Sequence, residues 1–93
     1  MAKSIRFTVV NSGGPLVATA QVELFRGVYL AGWCVFREGD RVWVWPPYRE
    51  VVETPAGGRR FVSYLRFDDQ KTFQRWADRI RDEYVKWAKT QGD

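Results

Sequence analysis

Residues 28–47, VYLAGWCVFREGDRVWVWPP, constrain the fold of this chain more than any other stretch. They read as a β-hairpin. Gly39-Asp40 separates two apolar-rich runs, and a glycine at the first central position supplies the positive φ of a two-residue type II′ turn. That turn sets the register: Glu38 opposes Arg41, Phe36 opposes Trp43, Val35 opposes Val44 and Cys34 opposes Trp45. Alternation then places Cys34, Phe36, Trp43 and Trp45 on one surface, and Trp33, Val35, Val42 and Val44 on the other. Neither surface is polar. A hairpin with one wet side would alternate apolar and polar residues, so this one predicts cover on both sides. A small domain can supply one cover from its own helix. The second has to come from a partner.

The strands around the hairpin follow from the same alternation. Residues 5–10 form a first strand that stops at Asn11-Ser12-Gly13-Gly14-Pro15. Residues 16–25 form a second, with Leu16, Ala18, Ala20, Val22 and Leu24 on one parity, and Arg26-Gly27 turns the chain into the hairpin. Gly32 interrupts the third strand. A bulge there would invert the facing of the residues before it. Pro46-Pro47 ends the fourth strand or places it at an edge, because two successive residues lack a donor. Residues 48–53 suit a short strand, residues 54–58 (TPAGG) a mobile loop, and residues 59–67 a last strand. In that strand Phe61, Leu65 and Phe67 oppose Arg60, Val62, Tyr64 and Arg66.

From Lys71 the apolar period lengthens to helical. Phe73, Trp76, Ala77, Ile80, Tyr84, Trp87 and Ala88 recur at three- and four-residue intervals and predict one amphipathic helix over about 69–89. Asp68 suits the N-cap, with Asp69 next to it at the positive end of the helix dipole. On the polar side, Asp78/Arg81 and Asp82/Lys86 are spaced as weak ion pairs. Residues 90–93 form a frayed tail. The fold class is α+β: a small, meander-like antiparallel sheet of five or six strands and one C-terminal helix packed on one face. Ninety-three residues suffice for a single domain and one modest core.

Charge points to the sheet. Residues 1–67 hold nine Lys/Arg and five Asp/Glu, whereas 68–93 hold six of each, so the whole surplus of +4 lies before the helix. Eleven of the fifteen cations are Arg, which forks onto phosphate and stacks on flat rings. Arg49, Arg59, Arg60 and Arg66 gather around the Pro-Pro step and the following loop, and Tyr48 and Tyr64 offer rings beside them. These six are the candidate nucleic-acid contacts. The alternative is a solvated basic loop with tyrosines packed at its rim. Trp33, Val35, Val42, Val44, Trp43 and Trp45 are candidates for core or dimer burial, since valines offer bases little.

Residues of several strands also resemble the SpoVG-type regulators of bacterial sporulation and septation, from about Gly14 to Tyr84. Ala18, Ala20 and Val22 lie in a long strand, followed by a strand at 28–35. A Gly-containing turn then leads to Val42-Trp43-Val44-Trp45-Pro46-Pro47. Pro47-Tyr48-Arg49 keeps a Pro-x-Arg step, Gly58 precedes an aromatic-containing strand, and Tyr84 falls late in the helix. The chain departs from the family in carrying Arg41 where Gly is usual, and in having Leu65-Arg66-Phe67 where a His-Pro pair is frequent. The resemblance implies a single nucleic-acid-binding domain over 1–93, usually dimeric, that binds DNA or RNA and regulates gene expression.

Catalysis has little to work with. The chain has no His for general-base chemistry, no Gly-rich phosphate loop before a helix, and no carboxylate cluster away from the charged helix face, the Asp68-Asp69 pair being explained by the helix start. The expectation is a binding protein and not an enzyme, with no cofactor, no metal and no small-molecule substrate. Cys34, alone and mid-strand, reads as packing. The N-terminus MAKSIRF lacks an apolar signal core, and no segment reaches the length of a membrane span, which predicts a soluble cytoplasmic protein. Two functions fit: a dimeric nucleic-acid-binding regulator, or a protein-interaction module whose charge is incidental.

Overall fold

The period-two segments become six antiparallel strands, and the helical stripe becomes one helix. The computed structural model describes residues 4–53 and 57–91. In order they form β1 (Ile5–Val9), β2 (Leu16–Phe25), β3 (Val28–Glu38), β4 (Arg41–Trp45), β5 (Tyr48–Glu53), β6 (Gly58–Ser63) and α1 (Gln70–Thr90). The fold is α+β. Strands β1-β2-β3-β4 make a four-stranded meander, and β5-β6 pair with each other as a second, two-stranded sheet. Most of the expected loop after β5 lies outside the described residues.

The hairpin at the centre has the register that its turn dictates: Glu38↔Arg41, Phe36↔Trp43, Val35↔Val44 and Cys34↔Trp45. Gly39 has φ +62°, and no described residue other than glycine has a positive φ, which together define a type II′ turn. At Gly32 the interruption is a real bulge. Ala20 pairs with Trp33 but Val22 with Leu30, so Ala31 and Gly32 together face one residue of β2. The extra residue brings Leu30 onto the same side as Trp33, where it packs on the core.

That core lies between the meander and α1. Ala18, Ala20 and Val22 of β2, Trp33 and Val35 of β3, and Val44 of β4 are buried against Ala77, Ile80 and Tyr84 of the helix. Two alanines side by side on β2 leave room for Trp33, which is fully buried and lies parallel to the Trp76 ring at 6.1 Å. From β1, Phe7 reaches Tyr84 and Trp87, with ring centroids 5.6 and 5.4 Å away. Each large apolar side chain removed from water here contributes roughly 1.5–3 kcal/mol before its ordering cost. The helix thus covers the Trp33/Val35/Val42/Val44 face of the hairpin.

Of the boundaries that differ from the sequence expectation, three have a plain local reason. Asp69, not Asp68, caps the helix: its Oδ1 accepts from the Thr72 N–H at 2.8 Å. The last strand ends at Ser63 and not at Phe67, because the Ser63 hydroxyl accepts from the Leu65 N–H and donates to the Leu65 carbonyl, folding the chain into a tight turn. Leu65 and Phe67 then pack on the core from a loop, with the Phe67 ring 5.4 Å from that of Phe73. Thr90, expected to fray, is the last helical residue, and its hydroxyl donates to the Trp87 carbonyl at 2.7 Å. On the helix surface Arg81 bridges Asp78 at 3.3 Å and Asp82 at 3.1 Å.

Candidate functional site

The meander has one face under the helix and one face open. On the open face the odd–even alternation of β3 and β4 brings Cys34, Phe36, Trp43 and Trp45 together, and their rings touch in sequence. Phe36 and Trp43, a cross-strand pair, stack with centroids 5.5 Å apart and 11° between planes. Phe36 also meets Trp45 at 5.1 Å. The row then crosses the Pro46-Pro47 step into the second sheet: Trp45 meets Tyr48 at 5.7 Å, and Tyr48 meets Phe61 at 5.3 Å, both edge to face. Five aromatic rings therefore run in one line across both sheets. Trp45 and Phe61 are 43% and 62% exposed, which leaves ring surface for another flat group.

Arginines decorate this line. The Arg41 guanidinium lies 5.0 Å from the Trp43 ring centroid. At the far end Arg59 bridges Glu50 at 3.2 Å, with the Arg59 side chain 72% exposed. A cation on an aromatic face gains about 0.5–1 kcal/mol at an exposed site and is held in a fixed direction.

The step between the sheets is built by Pro47. Its ring is buried, its carbonyl accepts from the Tyr64 N–H at 2.8 Å, and a Cβ on Gly32 would lie 3.3 Å from its own Cβ. Gly32, at φ +96°, thus combines the bulge with a close approach. Because Pro47 sits in that gap, β5 leaves the meander with Tyr48 in line with Trp45.

The six residues singled out from sequence are divided by the β5-β6 register. Tyr48 pairs with Ser63, Arg49 with Val62, Val51 with Arg60 and Val52 with Arg59. Tyr48, Arg59 and Phe61 share one side of this hairpin; Arg49 and Arg60 share the other. Arg66 is exposed in the segment leading to the helix, and Tyr64 is 65% exposed beside Pro47. The basic cluster therefore does not converge on one surface: only Arg59 and Tyr48 belong to the aromatic row. Sequence reasoning left out Phe36, Phe61 and Arg41 as site residues. The turn register already aligned Phe36 and Arg41 with Trp43, but the Phe61 contact depends on the kink at Pro47.

Burial raises the Cys34 thiol above its ordinary pKa, and its Sγ lies 3.6 Å from the Gly32 carbonyl, an arrangement for packing and not for nucleophilic attack. Among the described residues no group of three or more His, Cys, Asp and Glu is placed to hold a metal ion. No described helix is long and apolar enough to cross a membrane.

The fold and site define a class in physical terms: a helix-backed antiparallel meander with an open, arginine-flanked aromatic face. No protein-family model, curated protein or solved structure matches the chain.

Proposed function

We propose that this chain is a non-enzymatic nucleic-acid-binding protein that holds a single strand of DNA or RNA on the open face of its sheet. The observation that carries the proposal is the line Trp43–Phe36–Trp45–Tyr48–Phe61 with Arg41 and Arg59 beside it. Exposed rings take unpaired bases on their π-faces whatever the sequence, and neighbouring guanidinium groups take the phosphates between them. A duplex hides those faces, so a single strand is the better fit. The whole charge surplus lies in the strand-forming part of the chain, which agrees with this placement. The resemblance to SpoVG-type regulators, carried by Ala18-x-Ala20-x-Val22, Val42-Trp43-Val44-Trp45-Pro46-Pro47 and Pro47-Tyr48-Arg49, supports the same reading and extends it to a cytoplasmic regulator of gene expression that acts as a homodimer.

Fluorescence anisotropy with labelled single-stranded DNA, single-stranded RNA and duplex DNA at several salt concentrations tests the proposal. Single strands should bind more tightly than duplex, with a steep salt dependence. Trp45→Ala should weaken binding by about 1–3 kcal/mol per stacked base and leave the salt slope unchanged. Arg41→Ala should lower the log–log slope by about 0.7, the value for one phosphate contact on a single strand. If no oligonucleotide binds at low salt, the proposal fails and the face belongs to a protein partner. If binding survives Trp45→Ala and Phe61→Ala but is lost on neutralising Arg75, Arg79 and Lys86, the site lies on the helix.

A further inference from the structure

Strand β4 is the outer strand of the meander opposite β1, and its outer side has unspent hydrogen-bonding capacity. The two-residue turn closes with Glu38 and Arg41 as a hydrogen-bonded pair. Arg41, Trp43 and Trp45 therefore bond to β3, and the N–H and C=O groups of Val42 and Val44 point away from it. Arg37, the partner position of Val42, obeys the same alternation: its N–H turns from β4 and donates to the Pro15 carbonyl at 2.8 Å. Strands left at an edge are usually protected by a bulge, an inward charge or a mid-strand proline. Between Arg41 and Trp45 this one has none. Beside it a groove of about 240 Å³ opens between strand and helix, lined by Val42, Val44, Phe73 and Ala77 with Asp78 and Arg81.

We propose that this edge pairs with the same edge of a second copy, β4 antiparallel to β4 about a two-fold axis at Trp43. The result is a continuous sheet with both helices on one side. The free groups select the register. Centred on Trp43, Val42 of each copy faces Val44 of the other, and all the outward donors and acceptors of these two residues find partners. Centred on Val44, Val42 would face Pro46, which has no N–H to give. Centred on Val42, Val44 would face Asp40 inside the turn. On the open face the Trp43 register also sets Arg41 of each copy beside the exposed Trp45 of the other, a cation against an indole at both ends of the seam. An isologous interface requires a surface that complements itself, and Arg-Val-Trp-Val-Trp does so in this register. The inference gives the homodimer proposed above its interface; it rests on the strand edge and not on the aromatic row, so the interface and the nucleic-acid site can fail separately.

Sedimentation velocity at micromolar concentration should show a dimer. Val42→Pro removes an outward donor and leaves the bonds of Arg41 and Trp43 to β3, so it should sediment as a monomer with unchanged helical circular dichroism. Independently, in a Cys34→Ala background, Trp43→Cys should oxidise to a disulfide-linked dimer, because facing residues of a non-hydrogen-bonded pair have Cβ atoms about 4.5–5.5 Å apart. Trp45→Cys should not, since its own copy would lie about 13 Å away along the strand. A monomeric parent, a dimeric Val42→Pro, or crosslinking at position 45 in place of 43 would each overturn the proposal. A dimer that binds no oligonucleotide keeps this interface and discards the nucleic-acid site; a monomer that binds one does the reverse.

Discussion

Asp69 and Gly32 each do one local thing that a neighbouring residue type would not. The Thr72 N–H donates to the Asp69 carboxylate and holds its pKa below the ordinary carboxylate value. The unfolded chain therefore binds this proton more tightly. The contribution of the cap is complete above the ordinary carboxylate pKa and is lost as pH falls through the lower, folded-state value. Thermal melts of wild type and Asp69→Asn should accordingly differ most at neutral pH, with the wild type more stable, and converge in acid. At Gly32 a side chain would meet both a positive φ and the Pro47 ring. Gly32→Ala should cost roughly 1–3 kcal/mol in urea denaturation. Because the same contact aligns Tyr48 with Trp45, the variant should also weaken oligonucleotide binding beyond its effect on stability.

At the scale of elements, α1 is held by its stripe. Trp76 is partly buried and lies flat against Trp33, so Trp76→Ala should cost about 3 kcal/mol, the lower end for a large aromatic, as read from the midpoint of a urea melt. The strands, the central register and this stripe were legible in the sequence because each follows from a short-range rule: alternation, turn chemistry or helical period. What was not legible depends on contacts distant in sequence. Alternation carries the last strand on to Phe67, but the Ser63 hydroxyl stops it by bonding to Leu65. Four arginines close together in sequence looked like one patch, yet β5-β6 pairing sends Arg49 and Arg60 to one side and Arg59 to the other. The aromatic row joins residues 36, 43, 45, 48 and 61 across two sheets, and only the hairpin part of it has a signature in sequence.

In the whole molecule, polarity is arranged by face. Residues 68–93 hold six cations and six anions and residues 1–67 carry the surplus, so Arg75→Ala/Arg79→Ala should leave the salt slope of oligonucleotide binding unchanged in anisotropy titrations. The tryptophans are sorted in the same way: Trp33, Trp76 and Trp87 lie between sheet and helix, and Trp43 and Trp45 lie on the open side. The buried Trp33 has an indole N–H without an acceptor among the described residues, and it lies within 3° of parallel to Trp76. That pair is an optical dimer in an apolar medium: its emission should be blue-shifted, its near-ultraviolet circular dichroism strong, and both signals lost only when the helix leaves the sheet. Trp45 should emit to the red and be open to collisional quenchers. One polypeptide thus contains two spectroscopic channels, one that records unfolding and one that records whatever lands on the surface, and neither needs a label.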